Sequence, residues 1–408
     1  MKKIIINGPA SLCGRVDVSG SKNAALPILF ACIIADGVSE IEGLPDIGDV
    51  RVALRILEEM GAVVIRRGKI TSVDTRYMRY SLPDRDLISR IRASTYLIGG
   101  CLGRFGQCVL QSFGGCNFSS RPIDMHLDAC RALGADINGD FLSAKRLVGA
   151  EICFNKASVG ATVNSLLLTS VADGESVIKG VAKEPHIDCL IDFLISCGAQ
   201  ITKNDSEIKV VGKRLHGGKI KIIPDMIEAG SYLALGQLPQ ASIGVGNCPI
   251  GDMHSVRQAL GEFGAEVYSV DDITCSRLLS PKHFSVVARP YPDFPTDLQP
   301  IMAPLMATYC GGQITDEVWR GRFGYLRELF AFGINYTIDG GTASIYPSKI
   351  IPATVTAPDL RGGMACIMAA LVASGYSEIY SADTVLRGYE NLVDKLSALG
   401  ADIKIEET

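Results

Sequence analysis

The sequence predicts an α/β protein in which sheets wrap around internal helices, built from six repeated units divided three and three. Three observations predict it. First, six leucine-rich runs each close on a glycine, usually followed by alanine, and turn into a β-rich stretch; the glycines are Gly61, Gly134, Gly198, Gly264, Gly333 and Gly400, at intervals of 64 to 73 residues. A helix that ends on a left-handed glycine and passes into a strand is one unit of fold, here repeated. Second, each copy is preceded by a run of small apolar residues without a polar face, and a helix apolar nearly all round has to be buried. Third, 408 residues with 47% hydrophobic content exceed what one core holds, which divides the six units between two domains.

The elements follow in order. Buried-helix runs begin at Asn23, Ala93, Val163, Gly230, Leu298 and Gly362. Each leads into a short strand bounded by a small residue: after Gly37, Gly106, Gly174, Ala241, Gly312 and Gly375. The leucine-rich helix and its glycine turn come next, then a second strand. Charged residues recur near the start of the first helix of a unit, at Lys22, Arg92, Asp297 and Arg361. Such positions are either solvated caps or, since one helix end per unit faces one side of a repetitive assembly, members of a shared anion-binding cleft.

Composition narrows the function. A formal net charge of −4 gives no field that favours nucleic acid or an anionic membrane, so an anionic ligand has to be gathered locally. The N-terminal apolar stretch after Lys2 and Lys3 ends within three residues, too short for a secretory signal or a spanning helix, and a cytoplasmic location is expected. Thirteen cysteines are an odd number without a Cys-x-x-Cys pair; Cys32, Cys101, Cys189, Cys197, Cys310 and Cys366 lie in apolar runs and read as reduced core residues. Five scattered histidines show no ligand spacing, and no metal or cofactor is expected.

Four local sequences carry chemistry. Ser19 to Pro27 places Lys22 and Asn23 at the mouth of a buried helix, suited to a phosphoryl group, with an ordinary surface lysine as the plainer alternative. Phe113 to His126 sets Cys116 on a glycine loop near Arg121, and a neighbouring cation lowers a thiol's pKa. This separates Cys116 from the other twelve cysteines. Tyr291 to Gln299 brings Asp297 to a helix start between stiffening prolines, where it is either a functional carboxylate or an N-cap. Arg320, Arg322, Arg361 and Arg387 sit in polar turns, as convergent guanidiniums for phosphate and carboxylate or as solvated charge.

Together these motifs resemble the enolpyruvyl transferases, and within them the branch whose acceptor is UDP-N-acetylglucosamine. The resemblance runs nearly end to end, from the Gly20–Pro27 motif to the stretch from Arg387 to Ala401, and includes Ser158–Thr162, Lys183–Pro185 and Pro224–Gly230. The sister branch that makes 5-enolpyruvylshikimate 3-phosphate shares the six-unit fold but lacks the Gly114–Gly115–Cys116 loop.

The resemblance implies an inside-out α/β barrel of two pseudo-symmetric domains, residues 22–223 and residues 1–21 with 224–408, with the substrates bound between them. It implies transfer of the enolpyruvyl group of phosphoenolpyruvate to the 3-hydroxyl of UDP-N-acetylglucosamine with release of phosphate, the first committed step of peptidoglycan biosynthesis. Lys22, Asn23, Arg121, Arg322, Arg361 and Arg387 would bind phosphoenolpyruvate. Asn23, Arg92, Arg121, Pro122, Ile123, Asp124, Met125, Lys156, Ala157, Ser158, Val159, Asp297 and Val318 would bind the UDP-sugar. Cys116 would protonate carbon 3 and be the target of the epoxide fosfomycin; Asp297 would take the hydroxyl proton; Lys22 and Arg387 would complete the catalytic set. The partners would be these small molecules, with neither nucleic acid nor membrane insertion.

Two residues depart from the family pattern. Arg320 stands where an acidic residue is usual, and repulsion there is expected to shift Arg322 or to alter closure. Met226 replaces an arginine in the Pro224–Gly230 motif. Both leave room for a divergent transferase with another nucleotide acceptor, and a third reading is a non-catalytic paralogue that binds the nucleotide sugar.

Overall fold

The computed structural model describes residues 2–111, 113–114 and 122–407, and these fall into two compact units: residues 20–114 with 122–223, and residues 2–19 with 224–407.

In the unit of residues 20–223 the interior is made by the helices Lys22–Ala31, Leu97–Phe105 and Val159–Thr169. Their small residues permit close approach. A Cβ on Gly99 would lie 2.7 Å from Asn164 Oδ1, and one on Gly100 2.9 Å from Ile33 Cδ1, so neither position accepts a side chain without movement. Ser21 and Ser158 cap their helices, each side-chain oxygen accepting a backbone N–H at 3.3 Å, from Ala24 and Ala161. The sheets lie outside with one face inward. Val38–Glu42 pairs parallel with Lys219–Lys221 and antiparallel with Ile70–Asp74, which pairs antiparallel with Val63–Arg67. The sheet of Glu151–Cys153, Glu175–Lys179, Glu207–Val211 and Gln200–Lys203 repeats that pattern. The Gln107–Val109 sheet has three strands among the described residues.

The other unit is built on the same plan. Its interior helices are Met226–Leu235, Gln299–Thr308 and Leu360–Val372, in which all but Glu228, Gln299 and Arg361 are apolar or small, and nearly all are buried. Its sheets have the same mixture of one parallel and two antiparallel pairings. In the sixth repeat the missing hairpin strand comes from the start of the chain: Lys2–Gly8 pairs antiparallel with Gly375–Tyr380 and with Asp402–Glu407, putting Ile4 opposite both Ile379 and Ile405. The first strand therefore completes the last repeat.

The six punctuating glycines have φ between 83° and 109°, the left-handed region in which a Cβ is strained. At Gly61 and Gly400 the following alanine donates to the carbonyl five residues back, Ala62 N to Leu57 O at 2.9 Å and Ala401 N to Leu396 O at 3.0 Å. This is how the amphipathic helix satisfies its last carbonyls before the chain turns into the next strand. Among the described residues no helix is long and apolar enough to cross a membrane.

Candidate active site

In the unit of residues 20–223, Lys22 opens its helix and is not a surface lysine. Its side chain is 13% exposed, with Nζ 3.3 Å from Oδ2 of the buried Asp49, in the first turn of Gly48–Glu59. Asn23, beside it, is half-buried. A second cluster forms where the Asp124–Ala132 and Val159–Thr169 helices pack together. The buried Asn164 accepts from Gly99 N at 2.8 Å through Oδ1, which leaves Nδ2 to donate to Thr95 O at 3.1 Å and to His126 Nδ1 at 2.6 Å. His126 Nδ1 is therefore an acceptor, and the ring is neutral with its proton on Nε2. Burial, reinforced by the charge of Arg92, lowers the His126 pKa to about 4. A Cβ on Gly160 would come 2.9 Å from His126 Cε1, so the ring lies against the start of the Val159 helix.

The structure thus gathers Arg92, the Asp124 helix start and the Ser158–Val159 cap. Asp124 and Pro122 are exposed, Ile123 and Met125 half-buried; Lys156 and Ala157 are exposed, and Ser158 is held by its capping bond. Cys116 and Arg121 lie outside the described residues.

In the other unit, Asp297 does not cap a helix: the Gln299–Thr308 helix begins after Leu298 with no side-chain cap. Its carboxylate instead bridges two arginines, Oδ1 2.8 Å from Arg322 Nη1 and Oδ2 3.2 Å from Arg361 Nε. Both guanidiniums are buried, Arg361 at 2% exposure, while the Asp297 side chain remains 29% exposed. Burial opposes the Arg361 charge, but Tyr389, Asp297 and Asp225 outweigh it and its pKa rises. Among the described residues Arg361 Nη2 is buried without a hydrogen-bond acceptor.

Residues that sequence reasoning missed hold this centre. Thr296 Oγ1 accepts from Arg322 Nη1 at 3.0 Å and donates to Asp316 Oδ2 at 2.5 Å. Asp316, fully buried, also accepts from the backbone N–H groups of Val318 at 2.9 Å and Trp319 at 2.7 Å, which fixes Val318. Gln299 donates to the Arg322 carbonyl at 2.9 Å and accepts from Tyr325 at 2.7 Å. Asp359 caps the Leu360 helix and so sets the backbone of Arg361, with Arg361 N 2.9 Å from its Oδ1. Arg387 is half-buried in the turn after Asp383–Leu386. A buried Gln or Asp near a proline-rich turn was the only sequence signal for most of these.

Two expectations need correction. Arg320 is exposed, and its charge acts on Glu317, which already pairs with Arg289 at 2.7 Å; Arg322 keeps its bond to Asp297 and is not displaced. Nor is every cysteine of an apolar run a core residue, since Cys310 is not fully buried. Cys13 and Cys153 are exposed and Cys310 is half-buried, whereas Cys32, Cys101, Cys189, Cys197 and Cys366 are buried. An apolar run in a strand or helix end does not bury every residue in it, because alternate side chains point outward.

Comparison with known proteins identifies the family. The EPSP synthase family (3-phosphoshikimate 1-carboxyvinyltransferase) matches residues 6–396. The UDP-N-acetylglucosamine 1-carboxyvinyltransferase of Halothermothrix orenii is 39% identical, over 99% of both chains. The UDP-N-acetylglucosamine 1-carboxyvinyltransferase 2 of Staphylococcus aureus is 37% identical, over 99% of this chain and 98% of its own. Among solved structures, the enolpyruvyl transferase NikO from Streptomyces tendae superposes with a TM-score of 0.89 at 25% identity, covering 100% of this chain and 99% of that one. EPSP synthase from Acinetobacter baumannii shares the fold, with a TM-score of 0.74 at 17% identity and full coverage of both chains. The family match over residues 6–396, with relatives 37% and 39% identical over 99% of this chain, makes this protein a member of the EPSP synthase family of enolpyruvyl transferases.

Proposed function

We infer that the protein transfers the enolpyruvyl group of phosphoenolpyruvate to the 3-hydroxyl of UDP-N-acetylglucosamine and releases inorganic phosphate, the first committed step of peptidoglycan biosynthesis. The observation that carries the reading is the Asp297–Arg322–Arg361 centre. Two buried guanidiniums face one carboxylate, and the Arg361 Nη2 donors have no acceptor among the described residues. A buried cationic donor without an acceptor is costly, and a carboxylate-bearing anion relieves that cost.

On this reading Arg322 and Arg361 hold the carboxylate of phosphoenolpyruvate, and Lys22, Arg121 and Arg387 its phosphate, with Asn23 beside Lys22. Arg92, residues 121–125, residues 156–159 and Val318 take the UDP-sugar. Carbon 2 of phosphoenolpyruvate becomes electrophilic as carbon 3 accepts a proton, for which Cys116 is the donor. The sugar 3-oxygen attacks carbon 2 and passes its proton to Asp297, whose side chain stays partly open while its arginines are buried. The tetrahedral ketal then loses phosphate from carbon 2 and a proton from carbon 3, restoring the vinyl ether. Cationic side chains stabilise the charge throughout. Residues 22–223 form one substrate domain and residues 1–21 with 224–408 the other. Both substrates are cytoplasmic metabolites, and the cytoplasm is the expected compartment.

The test is phosphate release from phosphoenolpyruvate with each acceptor in turn. Release that requires UDP-N-acetylglucosamine supports the reading. Equal release with UMP points to another nucleotide acceptor, and none with any acceptor to a binding paralogue.

A further inference from the structure

Behind the Asp297 centre runs a chain of buried polar groups that the transfer reaction does not itself require. Ser231, fully buried in the Met226–Leu235 helix, donates its hydroxyl proton to the Ile227 carbonyl at 2.7 Å. That proton is its only one, so at the 2.9 Å contact with Tyr389 Oη, Ser231 is the acceptor and Tyr389 the donor. The Tyr389 proton is thereby turned toward Ser231, and this bond anchors the ring by its hydroxyl. The Arg361 guanidinium carbon lies 5.1 Å from the centre of the Tyr389 ring, over its face, a cation–π contact. Arg361 is thus held by Asp297 at Nε and by Tyr389, while Nη2 has no acceptor among the described residues. Tyr389 in turn follows Gly388, where a Cβ would lie 2.4 Å from Leu360 Cδ2, so this segment is pressed against the helix that carries Arg361.

We propose that Tyr389, oriented by Ser231, is a positioning residue that fixes the rotation of the Arg361 guanidinium and so tunes binding of the carboxylate substrate. The inference rests on the phosphoenolpyruvate reading above. Anchored to Ser231 by its hydroxyl, the ring keeps its face against the Arg361 guanidinium. Hydrogen bonds in such a chain reinforce one another inside a low-dielectric core.

The experiment measures KM for each substrate, turnover and thermal midpoint in Tyr389→Phe, Ser231→Ala and the double variant. Tyr389→Phe, which keeps the ring but frees it from Ser231, is expected to raise the KM for phosphoenolpyruvate about fivefold, the scale of one neutral hydrogen bond. The KM for UDP-N-acetylglucosamine stays within about twofold. Ser231→Ala, which touches no substrate, shifts the same KM, and the double variant adds little because both changes break one chain. An unchanged phosphoenolpyruvate KM in Tyr389→Phe, or an equal rise in both KM values, overturns the inference. If Tyr389→Phe does not fold, Ser231→Ala decides by the same criterion. Absence of turnover in the unsubstituted protein would instead sink the phosphoenolpyruvate reading itself, and this inference with it.

Discussion

Asp297 Oδ2 lies 3.2 Å from Nε of Arg361, and the same carboxylate reaches Arg322 at 2.8 Å, so one partly exposed carboxylate bridges two buried guanidiniums. Asp297→Asn keeps the shape but removes the charge that both arginines face and, on the proposed mechanism, the base that takes the hydroxyl proton. Turnover is expected to fall by about 10²- to 10⁴-fold, the usual contribution of a positioned base. A rate within tenfold of the parent would remove Asp297 from the proton-transfer step.

Arg387→Ala tests the phosphate side. The residue is half-buried in a turn, so the fold should survive its loss. Productive handling of phosphoenolpyruvate should weaken by about 2–4 kcal/mol in kcat/KM, as for loss of one electrostatic donor in a closed site. Unfolding of the variant would assign Arg387 a structural role.

Stability against pH isolates His126. Burial depresses its pKa to about 4, below the ordinary value of 6.5, so the folded state favours the neutral ring. Its contribution is present above pH 6.5 and is lost as the pH falls toward 4, because the unfolded chain then binds a proton that the folded one refuses. Between pH 7 and pH 5 the parent should lose about 2 kcal/mol more unfolding free energy than His126→Asn, whose side chain does not titrate. Equal pH dependence in urea titrations of the two would show that the ring is protonated when folded.

The repeat plan was legible in the sequence because its signals are local. Left-handed glycines such as Gly61 and Gly400 mark helix ends by backbone sterics alone, and runs such as Ala24–Ala31 declare burial by lacking a polar face. The site was legible at its charged residues Lys22, Asp297, Arg322 and Arg361. Their partners were not, because Asp49, Asp316, Thr296, Gln299 and Tyr389 reach them through tertiary contacts from separate elements. Asp297 illustrates the limit: its sequence position fits an N-cap, and only the approach of Arg322 and Arg361 turns it elsewhere. Arg320 misled for the same reason, since adjacency to Arg322 in sequence put it on the opposite, solvent-facing side.

Arg320→Glu should therefore change turnover by less than about twofold, since an exposed charge contributes little. A gain or loss of tenfold in initial rate would show that the side chain meets substrate.

Thiol mapping separates exposure from reactivity. Brief alkylation with iodoacetamide should modify the exposed Cys13 and Cys153 ahead of buried thiols such as Cys366, which burial keeps protonated. Hydrogen bonding to Glu151 raises the Cys153 pKa and should make it the slower of the two. Fosfomycin, in contrast, should leave a single adduct on Cys116 by peptide mass spectrometry. Fosfomycin adducts on Cys13 or Cys153 would show that accessibility alone governs the reaction.

The central claim is tested most directly by a competition in one vessel. The protein is given phosphoenolpyruvate with equal concentrations of UDP-N-acetylglucosamine, UMP and shikimate 3-phosphate, and the products are resolved by mass. The account predicts that UDP-N-acetylglucosamine alone gains one enolpyruvyl group, with one phosphate released for each. An enolpyruvyl adduct of UMP or of shikimate 3-phosphate as the main product would contradict it.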